Sequence, residues 1–495
     1  MQKNLRLARN SFMDTGLPKT TAEYAEIRSV AQVYLRQSKR KDQIQNKRLQ
    51  RCSTPPPLVS LSSLSLTSLD SIKCLRNLSS TPSFNYLELL QCQPNAISIL
   101  GNNLNSHKDE LIYEVLWCFG NLTLGPPILV EQISFYIQRF VDVLVSGNKT
   151  LAEQACWVLG NIAAESEEKR NFIRGKTEAL SGMVNLLTLK NMRLASVAAW
   201  ALCNLIRGEK LNYSDLFQTG ALNAALDLII KPFSGQVTEG LWLVSYLSAE
   251  PYADTRTQVY TNEKLEVFKA YLEFDDSKVV LPIIRILGNG FLYGFNLDYL
   301  FTDPIFVYRV IRVFKIHEKQ VKTETMWMLS NLFTCGYTEI IMKYAGEDLI
   351  KCLLSEAKDD DQVLKTEAGI ALYNLSETLN CSYFFQVLTM GKMFLLNTYV
   401  QNIANVPTWL SLNINSTIDV NLLQVSLGFV ILCLEVPDIP YELHRYIHSD
   451  EVKEVVEDCL HTMRKSRPGT QDEKFIVQQC DYILNWFAHE LSNTN

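Results

Sequence analysis

The stretch "EQACWVLGNIAAES" (Glu153–Ser166) decides the fold, because close variants recur along the chain. They are "EVLWCFGNLTLG" (Glu114–Gly125), "VAAWALCNLIRG" (Val197–Gly208) and "ETMWMLSNLFTCG" (Glu324–Gly336). Each sets a Trp four residues ahead of an Asn in an apolar run. The Trp falls at 117, 157, 200, 242 and 327. Arg285 holds the place in "LPIIRILGNG" and Ile370 in "KTEAGIALYNLSE", so the successive steps are 40, 43, 42, 43, 42 and 43 residues. Self-similarity at so constant a period marks an array of stacked units.

Within each unit the apolar residues follow a helical period, and no stretch alternates as a strand would. Gly and Pro stand near the unit ends, at 125–127 ("GPP"), Gly208, Pro251, Gly294 and Gly336, where helices should stop. A wholly helical unit of this length accommodates two or three helices, the HEAT or armadillo size class. The organisation expected is a flexible N-terminus (1–20), a basic helical segment (21–52), a Pro/Ser/Leu-biased linker (53–72) and an α-solenoid over 73–495. The solenoid should hold about ten repeats with the last two degenerate. A degenerate first repeat is placed near 73–104, and "FIVQQCDYILNWFAHEL" (Phe475–Leu491) as the last helix.

Apolar content of 47% and charged content of 20% describe an ordered globular chain. The most apolar run, "VNLLQVSLGFVILCL" from Val420, is short and carries Asn, Gln and Ser. It is expected to be a buried helix, not a membrane span. The N-terminus lacks the apolar core of a signal peptide, so an intracellular protein is expected. Twelve cysteines include no C-x-x-C pair, and Cys118, Cys156, Cys203 and Cys433 sit inside apolar helical patterns. They read as small buried hydrophobes, and neither a disulfide framework nor a zinc site is expected. The net charge of −6 conceals a division. Residues 1–51 hold twelve Lys or Arg against four Asp or Glu (+8), leaving 35 against 49 (−14) in the rest. A basic arm on an acidic body points to basic partners for the body, the arm among them.

Residues four apart on a helix share one face, so each motif sets an indole beside an amide and stacking would align them along one surface. Asn is a poor choice inside a helix unless its amide has a partner. A ladder of amides that donate to and accept from a peptide main chain supplies that partner. Slots between successive indoles suit Lys or Arg stems, with cation–π contact worth about 0.5–2 kcal/mol each. Glu114, Glu239, Glu324 and Glu367 stand three residues before the Trp position and add acid. The expectation is a groove for extended, basic peptides.

These residues resemble the importin-α family, adaptors that carry proteins with basic nuclear localisation signals. "EQACWVLGNIAAES" is close to the family's third armadillo repeat. Arg285 with Asn289 matches the family's sixth repeat, where Arg replaces Trp, and Trp242 with Tyr246 matches the fifth, where Tyr replaces Asn. The resemblance implies an all-α, armadillo-repeat right-handed α-solenoid in cytoplasm and nucleus, without cofactor or metal. It implies a major peptide site of Trp117, Asn121, Gly125, Trp157, Asn161, Glu165, Trp200, Asn204, Trp242 and Glu239, with Arg207 nearby. It implies a minor site of Arg285, Asn289, Glu324, Trp327, Asn331, Glu367 and Asn374. In the arm, "VYLRQSKRKDQIQNKRLQR" (Val33–Arg51) is similar to the family's importin-β-binding segment. Arg28, Arg36, Lys39, Arg40, Lys47 and Arg48 are the contacts this implies. The chain departs from the family at Val130, where a Thr lines the key lysine pocket, and at Ile370, where a Trp is lost.

His444 and His448 in "HRYIH" lack a nearby third ligand and are expected on a helix surface. "DDDQ" (Asp359–Gln362) is expected to be a solvated turn, and no catalytic set stands out. The function expected is a nuclear import receptor that links cargo to importin-β, with no enzymatic activity, no direct nucleic-acid binding and no membrane span. The alternative is an armadillo scaffold of the same descent that holds protein partners without ferrying cargo. A catenin-like adaptor fits less well, since it calls for a strongly basic groove.

Overall fold

The computed structural model describes residues 60–206, 218–230, 237–249, 257–291, 295, 297–334, 338–359, 361–378, 397–404, 417–435, 441–465 and 471–493. All regular elements among these residues are helical. They divide into two compact units that meet in sequence between Val259 and Tyr260.

The N-terminal unit holds α1 (Leu69–Ser79), α2 (Tyr86–Cys92), α3 (Ala96–Asn103), α4 (Asp109–Leu122), α5 (Pro127–Ser134) and α6 (Ile137–Leu144). It continues with α7 (Lys149–Glu165), α8 (Glu167–Arg174), α9 (Thr177–Leu187), α10 (Met192–Leu205), α11 (Ala221–Ile230) and α12 (Thr238–Leu247). The first three complete repeats, α2–α4, α5–α7 and α8–α10, are each two shorter helices and a longer one that carries the Trp motif. Local chemistry sets the ends of the long helices. Gly147, at φ 89°, makes the turn into α7 in a backbone conformation that favours glycine. Asn148 and Asn191 then cap α7 and α10, each side-chain oxygen accepting from two backbone N–H groups. Ser166 ends α7 and caps α8 through the N–H of Lys169.

The long helices pack in sequence order, α4 on α7, α7 on α10 and α10 on α12. Their close approach depends on the residue before the Asn. A Cβ on Gly160 would stand 2.3 Å from Cζ3 of Trp200, the indole of the next repeat. The cysteines of the motif are buried as expected; Cys118, Cys156 and Cys203 are at most 1% exposed. Burial pushes the Cys118 and Cys156 thiols far up, so they pack as neutral groups.

Helical structure begins earlier than the expected boundary at residue 73. Leu61, Leu64 and Leu66 are buried, and Gln93 Nε2 donates to the carbonyls of Leu61 and Leu64. The second half of the linker is therefore a packed cap on the first repeat, which its spaced leucines explain.

The C-terminal unit holds α13 (Asn262–Tyr271), α14 (Ser277–Phe291), α15 (Leu297–Phe301), α16 (Pro304–Ile316), α17 (Lys319–Thr334), α18 (Thr338–Ala357) and α19 (Gln362–Thr378). After them come α20 (Thr417–Glu435), α21 (Tyr441–Ile447), α22 (Asp450–Lys465) and α23 (Gln471–Asn493). Here α14 packs on α17 and α17 on α19, with the same close approach, since a Gly288 Cβ would lie 2.5 Å from Trp327 Cζ3. The apolar run from Val420 lies in α20, whose residues 423–434 are buried, and α20 packs on α19 and α23. Among the described residues no helix is long and apolar enough to cross a membrane.

A buried cation joins two repeats of this unit. Lys269, 3% exposed, bonds Glu266 and, at 2.6 Å, Asp303 Oδ2, while Asp303 also caps α16. The Lys269 bond holds the Asp303 carboxyl below its ordinary range, so its stabilisation is present above pH about 3.9 and lost as pH falls through the folded value.

Two predictions follow from packing and charge. Gly160→Ala overpacks the step onto Trp200 and lowers stability by about 1–3 kcal/mol in urea unfolding, and Trp200→Leu recovers part of the loss. In acid titrations followed by circular dichroism, Lys269→Met flattens the loss of stability below pH about 4; an unaltered acid limb would contradict this coupling.

Candidate binding surface

The motif asparagines are buried: Asn121 and Asn331 at 0%, Asn204 at 1%, Asn161 at 6% and Asn289 at 8% exposure. Their amide nitrogens point back into the array. Asn161 Nδ2 donates to the Gly120 carbonyl, Asn204 Nδ2 to Gly160 and Asn331 Nδ2 to Gly288, each at 3.0 Å. Asn121 Nδ2 makes the same bond to the Arg76 carbonyl at 3.0 Å, and Asn374 Nδ2 reaches Ser330 Oγ at 2.6 Å. In every case the acceptor belongs to the residue just before the corresponding Asn of the preceding repeat. The series thus starts at Asn77, one repeat before the first Trp, a register visible in the sequence as Arg76-Asn77 ahead of Gly120-Asn121. This differs from the sequence expectation, in which the amides faced a peptide. The donors staple repeats together, and Oδ1 of Asn121 and of Asn331 is covered without a hydrogen-bond partner.

The indoles are not equivalent. Trp117, Trp157 and Trp242 are half-buried, whereas Trp200 and Trp327 are 4% and 7% exposed. Trp157 and Trp200 stack face to face at 4.8 Å between centroids and 20° between planes. A ring separation of that size leaves no room for a lysine stem, so the expected slot between these two indoles is closed. Tyr113 meets Trp117 edge-on at 5.7 Å, and Trp242 lies 6.3 Å from Tyr246.

The acids are already engaged. Glu114 and Glu324 are 5% and 2% exposed, and the chain's own arginines hold them. Arg76 Nη1 donates to Glu114 Oε1 at 3.0 Å, and its guanidinium carbon stands 4.6 Å over the Trp117 ring. Arg285, the Trp replacement, clasps Glu324 with Nε and Nη2 at 3.1 and 2.9 Å. Sequence reasoning missed a third such acid. Glu153, one turn before Trp157 and 4% exposed, receives Nε of Arg193 at 2.9 Å, while the Arg193 side chain is 51% exposed. Burial raises the Glu114 carboxyl above its ordinary range, and the neighbouring Arg76 offsets this incompletely.

Of the remaining expected residues, Glu239 and Glu367 are half-buried, Glu165 is exposed, and Gly125 is half-buried beneath the Tyr86 ring. Val130, placed by the sequence at the wall of a lysine pocket, is fully buried inside α5. Ile370 is buried. Arg207 and the arm residues Arg28, Arg36, Lys39, Arg40, Lys47 and Arg48 lie outside the described residues. His444 and His448 stack at 3.7 Å, with Trp486 edge-on to His448 at 4.8 Å. Among the described residues no group of three or more His, Cys, Asp or Glu could hold a metal ion.

The helical triplets, their repeat register and the inter-repeat staples define an armadillo-type α-solenoid. No model of a known protein family matches the chain. Importin subunit alpha-9 of Arabidopsis thaliana is 27% identical over 246 residues, 45% of this chain and 45% of that protein. Importin subunit alpha-2 of Oryza sativa subsp. japonica is 26% identical over 331 residues, 63% of this chain and 61% of that protein. The chain thus spans from about half to three-fifths of the length of these relatives. The crystal structure of an engineered protein shares the fold at a TM-score of 0.63 and 17% identity, covering 86% of this chain and 98% of that one. Over these spans the chain is similar to importin-α subunits.

The staple makes its own prediction. Asn204→Ala removes a buried inter-repeat hydrogen bond to the Gly160 carbonyl and costs about 1 kcal/mol in denaturant unfolding. A change within about 0.5 kcal/mol, typical of a surface site, would contradict the staple.

Proposed function

We propose that this chain is an importin-α-like adaptor that binds extended basic peptides, nuclear localisation signals among them, and is linked to importin-β by its basic arm, working between cytoplasm and nucleus. One observation carries the reading. At Trp117 the combination of an indole face and a buried carboxylate holds a guanidinium, that of Arg76. The chemistry needed for a basic ligand is thus present and in use at Trp117, and Glu153 beside Trp157 repeats the pairing of acid and indole.

The major site is the row from Trp117 to Trp242 in the N-terminal unit. Its half-buried indoles and Glu239 offer contact, and its asparagines fix the spacing of the helices from within. The minor site is the row of Arg285, Trp327 and Glu367 in the C-terminal unit. Residues 28–48 supply the cations for importin-β. The engagement of Glu114, Glu153 and Glu324 by internal arginines favours one other reading, a scaffold that holds protein partners without ferrying cargo.

Two measurements test the proposal. Fluorescence anisotropy with an octapeptide of alternating Lys and Arg is expected to show about tenfold weaker binding to Trp157→Ala, the 1.4 kcal/mol of a lost cation–π site. Equal affinity would remove the groove assignment. Deleting residues 1–52 is expected to abolish capture of importin-β; capture of equal strength without the arm contradicts the linkage, and absence of capture by the full chain selects the scaffold.

A further inference from the structure

The groove acids of the N-terminal unit do not wait empty for a ligand. Glu114 and Glu153 lie under 10% exposed and one turn before successive half-buried indoles. Each is covered by an arginine from an adjacent repeat, Arg76 from the repeat before and Arg193 from the repeat after. Arg76 is held by more than its charge. Its Nε and Nη2 donate to Asn77 Oδ1 at 3.1 and 2.8 Å, and its guanidinium lies over Trp117. It therefore takes the indole face, the carboxylate and an Asn amide oxygen of the first position at once. These are the three partners that a cationic ligand side chain would want there.

The pairing is imperfect in one respect. Glu114 Oε2 stands 2.8 Å from Arg76 Nη1 but accepts no aligned hydrogen bond and is covered from water. Arg193 differs: it clasps Glu153 through Nε and Nη2 while half of its side chain remains in solvent.

We propose that Arg76 and Arg193 are specificity-determining residues, built-in occupants of the first two cation positions that a basic peptide must displace to bind. The inference rests on the peptide-binding reading and sharpens it. An incoming Lys or Arg gains at Glu114 and Glu153 only the difference between its own bonds and those of the arginine it removes. The groove accordingly binds a short run of cations weakly, and selects ligands whose main chain and remaining side chains find contact beyond these two positions. The same exchange keeps two buried carboxylates neutralised when no ligand is bound, which removes the cost of leaving them unpaired.

The test uses the full chain, the octapeptide of alternating Lys and Arg, and a control octapeptide with Gln at every position. Arg76→Gln and Arg193→Gln are each expected to bind the cationic peptide about fivefold more tightly, with no gain for the control. Arg193 is the more exposed residue, so its variant decides if Arg76→Gln does not fold. If the wild type binds the cationic peptide and neither folded variant binds it more tightly, the displacement idea is wrong while the groove assignment stands. If neither wild type nor variants bind it, the groove assignment fails and takes this inference with it.

Discussion

One hydrogen bond organises each unit: the side-chain amide of a motif Asn donating to the main-chain carbonyl just before the equivalent Asn of the preceding repeat. It ties together helices whose residues lie more than forty positions apart, and it fixes their register along the helix axis as well as their separation. Much else depends on it. Gly occupies the acceptor position at 120, 160 and 288, whereas Arg76 holds it at the first step. The absent Cβ in turn admits the next repeat's indole at Gly160 and Gly288. At these two steps Trp, Gly and Asn pack as one device.

Because the device is internal, what is left for a ligand is the rim: the half-buried indoles of Trp117, Trp157 and Trp242 and the ion pairs beside them. Those pairs follow a rule. A carboxylate one turn before the Trp position is sunk below the surface and closed by a guanidinium from a neighbouring repeat. Arginine suits the role because its planar fork can bond a carboxylate through two N–H groups while its face rests on an aromatic ring. The arrangement lets an acidic stack bury carboxylates beside guanidinium partners.

The sequence made the repeat legible through the Trp period, the helical pattern and the buried cysteines, all of which depend on spacing along one helix. It also marked α20 as a buried helix, since Asn421, Gln424 and Ser426 interrupt its apolar run. What it did not show was direction. Positions four apart establish that Trp and Asn share a face, but not that the amide turns toward the previous repeat while the indole rim turns outward. The partner of Asn161 is a carbonyl, which has no identity in a sequence. Its trace was the Gly before Asn121, Asn161 and Asn289, a poor helix former within a long helix. The arginine–glutamate pairs were hidden for a similar reason: Arg76, Arg193 and Arg285 occupy three different places relative to their motifs. Nor could spacing show that the indoles of Trp157 and Trp200 close on each other.

The asparagines hold the stack, and on the proposed reading the indole–acid rim meets basic ligands. A single NMR titration with the Lys/Arg octapeptide tests it most directly, observing indole Nε1–H, arginine Nε–H and Asn side-chain amide resonances together. The account predicts that signals of Trp117, Trp157 and Arg76 move with a common saturation curve while the amides of Asn161 and Asn204 stay in place. Saturation that shifts those Asn amides and leaves the indoles and Arg76 still would contradict it.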